Sequence, residues 1–150
     1  MALVPFPPTS TGFLAQCAKP EAFIGNAQTP GIATSTIDQV LRQEADRAVA
    51  VAVQDTYTPP IVQMDEGFVG AVYATTARLL MSFRGYNRQA GADEEIAEAG
   101  KRADDYFALC QQKKARPLLV DSAQLVPRDS VRISSQKTSD AWARRPGSQP

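Results

Sequence analysis

Three pairs of adjacent carboxylates, Asp65/Glu66, Glu94/Glu95 and Asp104/Asp105, come closest to acid–base chemistry in this chain. Such work needs one carboxyl held neutral and another held charged, with a nucleophile or base within hydrogen-bond reach. The sequence supplies no such partner. Among its 150 residues there is no histidine, which removes the commonest general base, the usual Ser and Cys triads and most zinc sites. Each acidic pair also falls where a helix start or a solvated helix face attracts carboxylates for ordinary electrostatic reasons. The stretch Gly67-Phe68-Val69-Gly70 lacks the spacing of a dinucleotide fingerprint, and this reading places no strand before it. The expectation is a chain with no catalytic residues, no cofactor and no metal.

The cations are more informative. Arg78, Arg84 and Arg88 lie along or just beyond one helical pattern, where they can meet phosphates or pair with acids of the next helix; the second reading is favoured. Lys and Arg total 16, as do Asp and Glu, so the whole chain has no electrostatic drive toward nucleic acid or an anionic membrane. Residues 127–150 differ: Arg128, Arg132, Lys137, Arg144 and Arg145 stand against Asp129 and Asp140, a net charge of +3. The only tryptophan, Trp142, sits in that stretch. Trp and Arg are enriched at interface hot spots, so Arg132, Lys137, Trp142, Arg144 and Arg145 are the candidate partner-binding residues, against a floppy end with an incidental aromatic. Cys17 and Cys110 lie in no metal-binding or redox spacing; a disulfide is open to them, but two thiols are favoured.

Three helices must position these groups. Ile37, Val40, Leu41, Ala45, Ala48, Val49 and Ala52 recur at helical spacing, predicting a helix over about 35–54 that stops before Thr58-Pro59-Pro60. A second helix starts near Asp65 as cap and ends at Gly85. Its broad apolar stripe, with Phe68, Val72, Leu79, Leu80 and Phe83 as predicted core, is wide enough to face more than one partner. A third helix spans about Asp93 to Lys114, acidic at its start and basic at its end. Its small residues Ala99, Gly100 and Ala103 allow close packing. Pro117 to Asp121 reads as a short extended piece.

Residues 1–33, rich in proline and polar residues, read as an arm whose Phe6, Phe13, Leu14, Phe23 and Ile24 can dock on a neighbour. The organisation is thus an N-terminal arm (1–33), a helical body (34–121) and an extended basic tail (122–150), in a mostly α fold built as a small antiparallel bundle. No window approaches the roughly 18 consecutive apolar residues of a membrane span. The start MALVPFPP has no basic residue and is broken by prolines, which argues against a secretory signal and for folding in a cytoplasm. Three helices of about twenty residues bury a modest core, so contacts from neighbouring chains are the economical way to order the rest.

Tyr57-Thr58-Pro59-Pro60-Ile61, then Phe68-Val69-Gly70-Ala71-Val72-Tyr73-Ala74-Thr75-Thr76-Ala77-Arg78-Leu79-Leu80, then the acidic start Asp93-Glu94-Glu95-Ile96-Ala97-Glu98-Ala99 form an ordered pattern. It resembles the small head–tail connector (adaptor) proteins of tailed bacteriophages, including the Mu-like group. Arg116-Pro117-Leu118-Leu119-Val120 matches the short extended segment after the third helix of that family. The resemblance covers residues 34–121; the proline-rich start and the basic tail depart from the shorter members. It implies a virion protein of the capsid vertex and neck, assembled in the host cytoplasm as a homo-oligomeric ring of about twelve copies. Its implied partners are the portal protein, the tail terminator or stopper, and DNA that slides through the channel without sequence-specific binding.

A different class of function fits the same residues: a small cytoplasmic helical regulatory module whose basic tail folds onto a protein or nucleic acid. A terminator or stopper ranks below both, because such proteins are richer in alternating strands and this chain shows almost none of that alternation. An enzyme ranks last.

Overall fold

The computed structural model describes residues 2–17, 20–24, 31–52, 57, 59–85 and 91–122. Its elements run β1 (Leu3–Pro5), α1 (Ser10–Gln16), α2 (Glu21–Ile24), α3 (Thr34–Ala52), β2 (Ile61–Asp65), α4 (Glu66–Arg84), α5 (Gly91–Gln111) and β3 (Leu119–Asp121). The fold is mostly helical, with α3, α4 and α5 packed together beside a small antiparallel sheet.

Helix α3 follows its sequence pattern closely. Ile37, Val40, Leu41, Ala45, Ala48 and Val49 are buried, while Asp38, Gln39, Arg42, Gln43, Asp46 and Arg47 are exposed. Helix α4 begins at the predicted cap: the Asp65 carboxylate accepts the backbone N–H of Phe68 at 2.7 Å. It ends at Gly85, whose φ of 95° lies where a side chain is disfavoured and whose N–H donates to the Met81 carbonyl at 3.0 Å. Between those limits α4 sits at the centre of the molecule, burying ten residues that include the central Phe68, Val69, Val72, Thr76 and Leu80.

Close packing of α4 on α5 depends on a missing side chain. A Cβ on Gly100 would lie 2.8 Å from Arg78 Cδ, so the glycine lets the Arg78 stem pass over α5 to reach Asp104. Phe68 and Phe107 complete this contact edge to face, with ring centroids 5.5 Å apart.

Four features differ from the sequence reading. The first thirty-three residues are not only an arm for neighbours: Phe13 and Phe23 are 1% and 0% exposed in this chain's own core. Their rings meet at 5.5 Å, and Phe13 also packs on Tyr73 at 5.7 Å. The prolines delimit short elements instead of preventing them; Pro5 lies in a strand at the edge of the sheet, where a missing N–H is tolerated.

The second difference is the sheet, ordered β1-β2-β3 and antiparallel throughout. Leu3 stands opposite Asp65, and Met64 opposite Leu119. A strand therefore does precede Gly67, although the fingerprint spacing is still lacking. Only β3 matches an extended segment expected from sequence.

Third, the core assignment on α4 holds for Phe68, Val72 and Leu80 but is corrected for Leu79 and Phe83, which are 37% and 64% exposed. Leu79 and Phe83 lie four residues apart on a side of α4 that its neighbours leave open, whereas Leu80 and Met81 in the same turns are buried. Fourth, α5 stops at Gln111, short of Lys114. Lys113 takes φ 60°, with its N–H on the Cys110 carbonyl and that of Lys114 on Leu109, a Schellman closure built on a residue other than glycine.

Candidate functional site

The acidic pairs divide by their surroundings. Asp65 is buried and its carboxylate holds two backbone donors: Phe68 N–H, and Leu118 N–H at 2.6 Å. It fastens β3 to the start of α4, and its neighbour Glu66 is exposed. Asp104 accepts from Arg78 at 2.6 Å, while Asp105 is exposed. Glu94 and Glu95 are exposed on α5. Asp93, by contrast, is buried and accepts from Arg84, whose other guanidinium nitrogen donates to the Ala22 carbonyl at 3.3 Å. Arg78 and Arg84 therefore pair with acids of the third helix, as their spacing suggested; Arg88 lies outside the described residues.

Two polar contacts had no legible signal. Asp38, on the solvent side of α3, accepts the Ser10 N–H at 2.8 Å and so anchors the start of α1. Tyr57 donates its hydroxyl to the Pro117 carbonyl at 2.7 Å, linking the proline turn to the segment before β3. Both join residues far apart in sequence, which spacing cannot reveal.

Cys17 and Cys110 form no disulfide. Burial pushes the Cys110 thiol up from its ordinary 9.0, with the Tyr106 hydroxyl offsetting part of that rise and Asp65 adding to it. Burial, reinforced by Cys110 and Asp65, also drives the Tyr106 hydroxyl well above its ordinary 10.0; burial raises Tyr73 as well. These shifts favour the neutral forms, a setting for packing and not for nucleophilic attack. Among the described residues, no three His, Cys, Asp or Glu side chains gather as a metal site, and no helix is long and apolar enough to cross a membrane.

Two surfaces remain as candidate sites. At the C-terminal end of α4, Leu79 and Phe83 stand one turn apart on the outside. The Arg84 bond to Ala22 brings α2, with its exposed Ile24, to that same end. The second surface is a mostly apolar cleft among α1, α4 and α5, with a volume of about 210 Å³. The predicted partner-binding residues Arg132, Lys137, Trp142, Arg144 and Arg145 lie outside the described residues.

No protein-family model, curated protein or solved structure matches this chain.

Proposed function

We propose that this chain is a structural head–tail adaptor of a tailed bacteriophage, assembled as a ring of about twelve copies between the portal and the tail. The observation that carries the reading is the exposed apolar end of α4. Phe83 is 64% exposed on the helix that buries more residues than any other described element. A large aromatic left on the outside of such a helix suits a packing surface for a neighbouring subunit.

The sequence resemblance gives that surface its assembly. In a ring every copy presents the same face, so a modest apolar contact repeated around the circle adds up to a stable structure. The basic tail, with Arg132, Lys137, Trp142, Arg144 and Arg145, reaches the portal or the adjacent copy in this scheme. Overall neutrality suits a channel through which DNA slides without being held. The function is geometric, and the carboxylate contacts described above are structural ones.

Mass photometry of the chain co-expressed with a candidate portal tests the proposal. The expected result is a discrete complex of about a dozen copies, lost on deleting residues 127–150 and lost again in the double variant Leu79→Ser/Phe83→Ser at unchanged helical content. A stable monomer or dimer that ignores the portal overturns it and favours the regulatory module.

A further inference from the structure

The cleft among α1, α4 and α5 has walls contributed by Phe13, Tyr73, Ala77, Ile96 and Ala99. An apolar cavity of about 150 Å³ takes up a benzene. At about 210 Å³ this cleft has room for a larger aromatic side chain. Its lining is not purely apolar: Glu95 borders it, and Glu94 and Glu98 lie within a turn on the same helix. All three are exposed, and none forms an ion pair among the described residues. The cleft therefore calls for an aromatic side chain accompanied by positive charge.

The chain carries such a segment. Trp142, its only tryptophan, is followed by Arg144 and Arg145. We propose that the segment around Trp142 docks in this cleft of the same chain, with the indole among Tyr73, Ile96 and Ala77 and the two guanidinium groups facing Glu95 and Glu98.

The connection is long enough. The tail leaves beside Pro60, whose carbonyl accepts the Ser122 N–H at 3.1 Å. Five strand residues (about 17 Å) and five helical residues (about 7.5 Å) separate Pro60 from Gly70 of the cleft, a path of about 25 Å at most. A flexible chain of the length between Ser122 and Trp142 has a root-mean-square span of about 25 Å. Tethering also sets an effective concentration of order millimolar, which favours a chain's own segment over that of a second copy at micromolar concentration. The docking is a property of the free chain and stands apart from ring formation. In an assembly, the portal or a neighbour would compete with the cleft for the same segment.

Because Trp142 is the sole tryptophan, intrinsic fluorescence and acrylamide quenching of the full chain read its surroundings alone. The expected result is blue-shifted emission and quenching several-fold slower than in urea, unchanged on tenfold dilution and weakened by high salt. Gly70→Leu is the blocking variant. A Cβ at Gly70 meets nothing within 4 Å, so the new side chain enters open space at the cleft, and a helix-interior glycine is removed. It should keep or raise the urea midpoint while Trp142 quenching rises to the unprotected rate. Should that variant fail to fold, the exposed pair Glu95→Lys/Glu98→Lys carries the same test and the same expected loss of protection. Trp142 as accessible in the native chain as in urea overturns the proposal. So does protection that survives both variants, which places the indole elsewhere, or protection that fades on dilution, which assigns it to a second copy.

Discussion

The Asp65 carboxylate accepts the backbone N–H of Leu118 at 2.6 Å with one oxygen and that of Phe68 at 2.7 Å with the other. One side chain thus starts α4 and holds β3 against it. The same residue stands opposite Leu3 in the sheet. Three parts of the chain, from its first residues to its last described strand, meet at this position.

Replacing Asp65 by Ala removes both acceptors. A lost N-cap costs about 0.5–2 kcal/mol, and a stranded backbone donor adds about 1–3 kcal/mol where it is sealed from water. Leu118 N–H is only partly sealed, so a loss of about 2–3 kcal/mol is expected in urea unfolding. Asp65→Asn should lose less, keeping one acceptor oxygen. Glu66→Ala, exposed next door, should stay within about 0.5 kcal/mol.

Phe13 provides the test of whether the N-terminal residues belong to the folded body. Its ring is buried against Phe23 and Tyr73. Phe13→Ala is expected to cost about 3–5 kcal/mol, as for other phenylalanines deleted from a core. Phe83→Ala changes the same side chain on the surface and should shift the free chain by about 0.5 kcal/mol or less. Equal small effects at both positions would return residues 1–33 to the status of an arm.

Lys113 holds the left-handed position that closes α5. A side chain there is strained, whereas glycine is not, although glycine loses more backbone entropy on folding. Lys113→Gly is expected to raise stability by about 0.5–1 kcal/mol, and Lys113→Val to lower it, because branching at Cβ aggravates the strain. Thermal unfolding of the two variants should therefore move in opposite directions.

Alkaline pH should weaken the fold. Cys110, Tyr106 and Tyr73 all hold their protons more tightly when folded than their ordinary values of 9.0 and 10.0 imply. A raised folded value means that the unfolded chain ionises first, so the stability linked to these groups is complete below about pH 9 and is lost as pH rises above it. Urea midpoints should fall from about pH 9 upward, and Cys110→Ala should move the onset toward the tyrosine range near pH 10. A midpoint that rises between pH 9 and 11 would contradict the burial of these three groups.

The amino-acid sequence by itself determined the three main helices and how one of them, α4, begins and ends. Apolar spacing marked the buried face of α3, Asp65 and Gly85 marked the limits of α4, and Arg78 and Arg84 were spaced to meet acids of α5. These are local signals, set within one or two turns, and a helix displays its period whatever it packs against. The sheet was hidden for a definite reason. An irregularity between Ile61 and Gln63 changes the phase of β2, so Ile61 and Met64 are both buried three positions apart and no alternation is visible. Partners across long loops decided the rest. Only the tertiary structure could join Asp65 to Leu118, bury Phe13 and Phe23 at home, or leave Phe83 outside a stripe that begins in the core. Burial depends on which surfaces neighbouring elements cover, and the period of a helix contains no record of where its neighbours stop.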